Sequence, residues 1–375
     1  MKNNRREFLK KSGSLAAALS VSGGPGKVLA AGAAQREAPR QAAPMRDAGM
    51  QMCEAYFFGM DEQKMALCRQ MDVLGAVGGI NRAPNAQLWD YESIVFTKQA
   101  YEKAGLRFRV VEGPPSLGDK TKLGLEGKDE EISNFILFMK NLSRAGLDTI
   151  CYNWMPVISW FRTDMARPGR GGALMTAFDN DAVKAAPMTK YGAVSKETLW
   201  KNLEYFLKAV VPEAEKYGIK LAMHPDDPQV DEIKGISRIM TTVANFRRML
   251  DLYSSPHNGV TLCQGNFSLM GADIPTVVRE FGKRKVIHFV HFRNVIGGKY
   301  KFTECFHDEG QIDMYAAMKA YYDIGFKGPI RPDHVPTMYN DSNAHPGYSV
   351  IGCLYANGYV RGLMEAVSKE QRKRA

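Results

Sequence analysis

The chain has 375 residues, 45% hydrophobic and 24% charged, the balance of a globular protein and not of a disordered or fibrous one. Its net charge of +10 is concentrated at the ends: residues 1–48 hold nine Lys/Arg against three Asp/Glu, and Ser368 to Ala375 hold four against one. The body between is close to neutral, which excludes a basic stripe and a nucleic-acid partner as the reason for the charge.

Taken in chain order, the first element is a leader. "NNRREFLKKSG" sets Arg5 and Arg6 just before Phe8, Leu9 and Lys10, and a short apolar stretch from Ser14 to Ser22 leads to small residues around "VLAAGA". Residues 1–33 thus have the layout of a twin-arginine signal peptide, with Asn4 where Ser or Thr is usual. The expectation is an exported, periplasmic protein whose partner in transit is the twin-arginine export machinery. The apolar stretch is too short for a permanent membrane span. Residues 34–49, rich in Ala, Arg, Gln and Pro, read as a linker.

A catalytic domain is expected over 50–368, followed by a basic tail at 369–375. Eight apolar runs read as strands: 53–59, 73–80, 107–113, 149–155, 219–225, 259–265, 286–292 and 328–334. Amphipathic segments lie between them, among them 129–146 and 195–218, the latter with Ser195 as cap and Gly218 as terminator. Eight alternating βα units predict an α/β fold of the (β/α)8 TIM-barrel type. The Gly-, Ala- and Arg-rich stretch 160–193 reads as a long lid-like insertion after the fourth strand. Cys53, Cys68, Cys151, Cys305 and Cys353 are dispersed, in the manner of buried small hydrophobes.

Strand ends carry the chemistry. The fifth run ends in His224, the sixth near Cys263, the seventh contains His288 and His291, and the eighth ends in Asp333 and His334. Singly, each is a core or turn residue. Together, His224, Cys263, His291 and Asp333 deliver four candidate ligands to the C-terminal rim where barrel enzymes place their sites. His288, an odd number of residues from His291, points to the other face. Thiolate, imidazole and carboxylate together suit Mn, Fe, Co or Zn better than Ca or Mg.

Several ordered motifs resemble the mannonate dehydratase family: "CYNWMPVISWFRTD" (151–164), "HPDDP" (224–228), "CQGNF" (263–267), "HFRN" (291–294), "FTECFHDEGQIDM" (302–314), "RPDH" (331–334) and "PGYSVIG" (346–352). The resemblance runs from about Cys53 to Val367. It implies a barrel that uses Mn2+ or Fe2+ to eliminate water from D-mannonate, giving 2-keto-3-deoxy-D-gluconate. By motif match, His224, Cys263, His291 and Asp333 are the metal ligands and His334 and Tyr348 the acid/base pair. Asn153, Arg162, Arg293 and His307 are placed near the substrate.

Two positions depart from the family pattern: Cys353 stands where an arginine is typical, and Ser159 where an aspartate is. Both bear on the substrate and not on the metal set. An exported enzyme is also out of keeping with mannonate as an internal intermediate of uronate breakdown. Two alternatives follow: a metal-dependent sugar isomerase or epimerase on the same barrel, which needs no acid for a leaving hydroxyl, and an exported sugar-acid-binding protein.

Overall fold

The structure, a computed structural model, describes residues 49–374, with the backbone alone of Arg374. The expected leader at 1–33 and the linker up to Ala48 lie outside the described residues. Eight parallel strands close into a barrel: β1 (Gln51–Ala55), β2 (Gly75–Gly78), β3 (Arg107–Glu112), β4 (Thr149–Asn153), β5 (Lys220–His224), β6 (Asn258–Cys263), β7 (Ile287–Phe292) and β8 (Pro329–Pro332). Closure is made where β1 pairs with β8, Met52 opposite Ile330. The predicted barrel is therefore present, each expected run contributing its strand.

Inward-facing Cys53, Val77, Val110, Cys151, Ala222 and Phe289 fill the barrel interior. Their neighbours on the outer face, such as Val111, Ile150, Leu221 and Val290, pack under the helices. Both faces are buried, so the strands read as continuous apolar runs instead of alternating ones.

The helices of the outer ring are α1 (Glu62–Gln70), α2 (Tyr91–Lys103), α3 (Lys128–Arg144), α4 (Lys196–Tyr217), α5 (Val243–Leu252), α6 (Ile274–Lys283), α7 (Met314–Asp323) and α8 (Val350–Arg374). On α3, Ile132, Phe135, Met139 and Leu142 form the buried stripe. Helix α4 starts where Ser195 accepts from the Thr198 N–H and stops at Gly218, left-handed at φ +68°. Residues 369–374, read as a tail, are the last turns of α8, held in part by the Lys369–Glu365 ion pair. Among the described residues no helix is long and apolar enough to cross a membrane.

The insertion after β4 is only half of a larger cap. Strands 164–168 and 174–179 pair antiparallel, and 174–179 pairs on its other edge with 301–304 of a hairpin that follows β7. Two barrel loops thus share one four-stranded sheet. That sheet brings Arg162 and Glu304 over the barrel mouth.

Candidate active site

The rim residues converge. In register, Asn153 at the end of β4 stands opposite His224 at the end of β5, and Cys263 of β6 opposite His291 of β7. Ligand atoms of His224, Cys263 and His291 lie within 4.8 Å of one another. Asp333 joins them, with its Oδ2 3.5 Å from His291 Nδ1 and 3.8 Å from Cys263 Sγ.

The donor set fits a cation. His224 Nδ1 faces the Pro225 carbonyl at 2.7 Å, which puts its proton there and leaves Nε2 as a lone pair, 3.2 Å from His291 Nδ1. Burial pushes the Cys263 thiol up, but the Arg293 guanidinium 3.5 Å away and the neighbouring His224 and His291 outweigh it and bring it down to about 6. Cys263 is therefore a thiolate at neutral pH, as a metal ligand must be. His291 turns its other nitrogen, Nε2, toward Glu112 at 3.5 Å, the carboxylate–histidine pairing that orients ligating imidazoles.

Asp333 and His334 are adjacent yet serve the same mouth. Consecutive side chains of a strand point to opposite faces, but β8 ends at Pro332 and His334 takes a left-handed φ of +48°. This conformation is rare for a residue with a Cβ and typical of strained functional positions. It turns the His334 ring back toward the cavity, edge-on to Tyr348 at 5.6 Å and beside Trp160 at 5.4 Å.

His334 Nδ1 lies 3.1 Å from Glu304 Oε1, so the tautomer that donates to this carboxylate carries its proton on Nδ1, and Nε2 faces Asp333 Oδ1 at 3.7 Å. Tyr348 donates its hydroxyl to Asp333 Oδ1 at 3.3 Å, and burial together with the Asp333 charge keeps that phenol protonated far above neutral pH.

His224, His291, Asp333, His334 and Tyr348 line a cavity of about 230 Å³ with Asn153, Ser159 and Trp160, and Cys263 is fully buried behind them. A larger one, about 690 Å³, opens among strand starts such as Lys220 and Ile287, and holds none of the rim residues; His288, as expected, faces it.

Arg162 and Arg293, expected near the substrate, do not line the cavity; they stand behind its wall. Arg162 donates to Asp227 at 2.5 and 2.9 Å and to Glu304 at 2.7 Å. Arg293 donates to Glu304 Oε2 at 2.9 Å, Asp227 at 3.0 Å and Asn266 at 2.7 Å. Two guanidiniums and two carboxylates pair with one another there, with Arg162 Nε left unpartnered among the described residues, and Glu304 passes the network on to His334. Gly265 is required by this packing, since a Cβ would stand 2.9 Å from the Arg293 side chain. His307 is also away from the cavity and fully buried.

Glu304 sits on a hairpin outside the barrel pattern, where the strand-end rule does not reach, and Asp227 follows His224 in "HPDDP" with nothing in the sequence to set it apart from Asp226. Glu112 and Arg331 were legible by the strand-end rule. Glu112 closes β3 and chelates Arg331, which in turn donates to Asp333 at 2.8 Å.

The two departures separate. Ser159 lines the cavity, whereas the Cys353 thiol is buried 3.4 Å from Glu54 Oε1, and Lys64 neutralises that carboxylate at 3.0 Å. Cys353 therefore bears on the packing of α8 against β1, not on the substrate.

A closed parallel barrel with a metal-capable cluster, a histidine and a tyrosine at its C-terminal mouth places the protein among (β/α)8-barrel enzymes. The D-mannonate dehydratase (UxuA) family model matches residues 50–190 and 184–374. The mannonate dehydratase 2 of Halalkalibacterium halodurans is 34% identical over 348 residues, spanning 85% of this chain and 100% of that protein. The crystal structure of mannonate dehydratase from Streptococcus suis serotype 2 superposes with a TM-score of 0.79 at 34% identity, covering 86% of this chain and 94% of that one. A xylose isomerase domain protein from Planctomyces limnophilus, at 12% identity and a TM-score of 0.54, shares the fold alone. The chain belongs to the mannonate dehydratase family.

Proposed function

We propose that the protein is a hydro-lyase that eliminates water from D-mannonate to give 2-keto-3-deoxy-D-gluconate. The observation that carries this reading is the meeting of the His224–Cys263–His291–Asp333 cluster, His334 and Tyr348 at one barrel mouth, in a chain of this family. A single Mn2+ or Fe2+ on those four ligands would draw charge from the substrate carboxylate and C2 hydroxyl, making the C2 proton removable.

The chain's own residues do the rest. His334 takes the C2 proton on Nε2, the nitrogen that does not face Glu304. The C2–H electrons are held first as an enediolate with the substrate carboxylate and then form the C2–C3 double bond as the C3–O bond breaks. Tyr348, held in its protonated form, gives its proton to the departing hydroxyl, which leaves as water. The enol then tautomerises to the 2-keto acid. Arg162 and Arg293 act from behind the wall by fixing Glu304 and Asp227. Asn153 meets the substrate directly, Ser159 shapes the part of the wall where the sequence departs from its family, and His307 packs behind the site.

The test is turnover by anaerobically Mn2+-loaded protein against a panel of aldonic acids, scored as 2-keto-3-deoxy acid. Product from D-mannonate supports the reading; product from another acid moves the substrate and keeps the chemistry. An epimer with no loss of water puts the isomerase or epimerase in its place. Binding with no C2 proton exchange in deuterated water leaves a sugar-acid-binding protein.

The leader at 1–33 supports export to the periplasm by the twin-arginine route, which translocates folded proteins and so suits loading of the metal beforehand. Replacing Arg5 and Arg6 with lysine should hold the protein in the cytoplasm; an unchanged distribution on fractionation sinks this.

A further inference from the structure

Lys122 is a buried cation beside the cavity with no part in the chemistry above. It lies in the short helix Asp119–Leu123 that follows β3. Its ammonium donates to Asn153 Oδ1 at 3.1 Å, the only hydrogen bond of that nitrogen among the described residues. The same oxygen accepts from the Met155 backbone N–H at 3.1 Å. Both neighbours can only donate, so the carbonyl end of the amide must face them. That fixes which way Asn153 points. Its Nδ2 has no protein partner among the described residues, and Asn153 lines the cavity one strand from His224.

The other charges around Lys122 are Asp119, Asp226, Arg238 and Glu131. Asp119 Oδ1 accepts from the Val157 N–H at 2.7 Å, Glu131 Oε2 from the Thr121 N–H at 2.9 Å, and Asp226 Oδ2 from the Met240 N–H at 2.8 Å while its Oδ1 faces Arg238 at 3.7 Å. None forms an ion pair with the ammonium. Burial pulls Lys122 down to about 8, against the pull of Asp119 and Asp226, so it stays mostly charged at neutral pH.

A desolvated ammonium spent on one neutral carbonyl is a poor device for stability. As a device for tuning an amide it makes sense, because drawing electron density onto Oδ1 strengthens Nδ2–H as a donor. We propose that Lys122 is a positioning residue for substrate specificity: it locks and polarises Asn153 so that Nδ2–H donates to the carboxylate of the sugar acid. The proposal rests on the sugar-acid reading above and adds a residue that the motif resemblance did not supply.

The test compares the full-length wild type with Lys122→Met, Lys122→Gln and Asn153→Asp. Metal content, KM, kcat and the calorimetric Kd of D-mannonate are measured for each. Lys122→Met should raise KM and Kd by about 10- to 100-fold, the worth of a hydrogen bond to a charged group, with kcat and metal content nearly unchanged. Lys122→Gln keeps a donor toward Oδ1 and should recover part of the affinity. Asn153→Asp pairs with Lys122 and offers no donor, so it should weaken binding at least as much as Lys122→Met.

Wild-type KM and Kd in Lys122→Met overturn the proposal. So does joint loss of kcat and metal in the Met and Gln variants alike, which marks a structural role. If Lys122→Met does not fold, Asn153→Asp decides, and wild-type affinity there overturns it. A wild type that binds D-mannonate without turning it over counts against the dehydratase reading, while the Kd comparison still judges Lys122.

Discussion

In the proposed reaction His334 and Tyr348 each move one proton, and their variants should separate the two transfers. His334→Ala removes the base and should lose both turnover and C2 proton exchange in deuterated water while keeping its metal. Tyr348→Phe removes only the acid. It should lose about 10²- to 10⁴-fold in dehydration, the usual worth of a positioned acid, yet keep C2 exchange. Equal loss of exchange in both variants contradicts the assignment.

Cys263 sets a pH limit of its own. With its thiol held near 6, the thiolate that a cation needs is present above that pH and lost below it. Metal affinity should therefore fall as pH drops from 7 to 5, and a competition titration with a chromophoric chelator reads this directly. Affinity that is flat across the window removes Cys263 from the ligand set.

Single elements are stabilised by local signals that can be tested without touching the site. Gly218 ends α4 in a left-handed conformation, and a Cβ there meets nothing within 4 Å. Gly218→Ala thus isolates the backbone cost, about 1 kcal/mol, and should lower the denaturant midpoint without changing kcat. The cap behaves differently. Strands 174–179 and 301–304 come from distant loops; each has a local hairpin partner, but the sheet that joins them forms only when the two hairpins meet. This is why 160–193 reads as an insertion in sequence while its structural role appears only with the hairpin after β7.

Across the whole molecule, the buried carboxylates at the mouth link stability to acid. Burial alone would raise Glu112 and Glu304, but Arg331 and His291 bring the first down to about 2, and Arg293, His334 and Arg162 do the same for the second. A depressed folded pKa means stability that is complete above the unfolded value and lost as pH falls through the folded one. Unfolding free energy should hold down to about pH 4.5 and decline between there and about 2, in step with protonation of these groups. A stability curve flat through that window contradicts the ion network.

The sequence by itself determined the barrel, because eight apolar runs at βα spacing have few other ways to bury both faces. It determined the metal-capable set too, since His224, Cys263, His291 and Asp333 fall at strand ends and one rule places them on one rim. Glu112 and Arg331 obey the same rule. What lay beyond the sequence was everything held by contacts between distant loops. Glu304 reaches His334 only through the cap sheet, Arg162 and Arg293 are withdrawn from the cavity only because Asp227 and Glu304 claim them, and Lys122 meets Asn153 across 31 positions. Strand ends are set by a local period that the chain carries along its length. The partners of a buried charge are set by which loops fold over the mouth, and only the tertiary structure decides that.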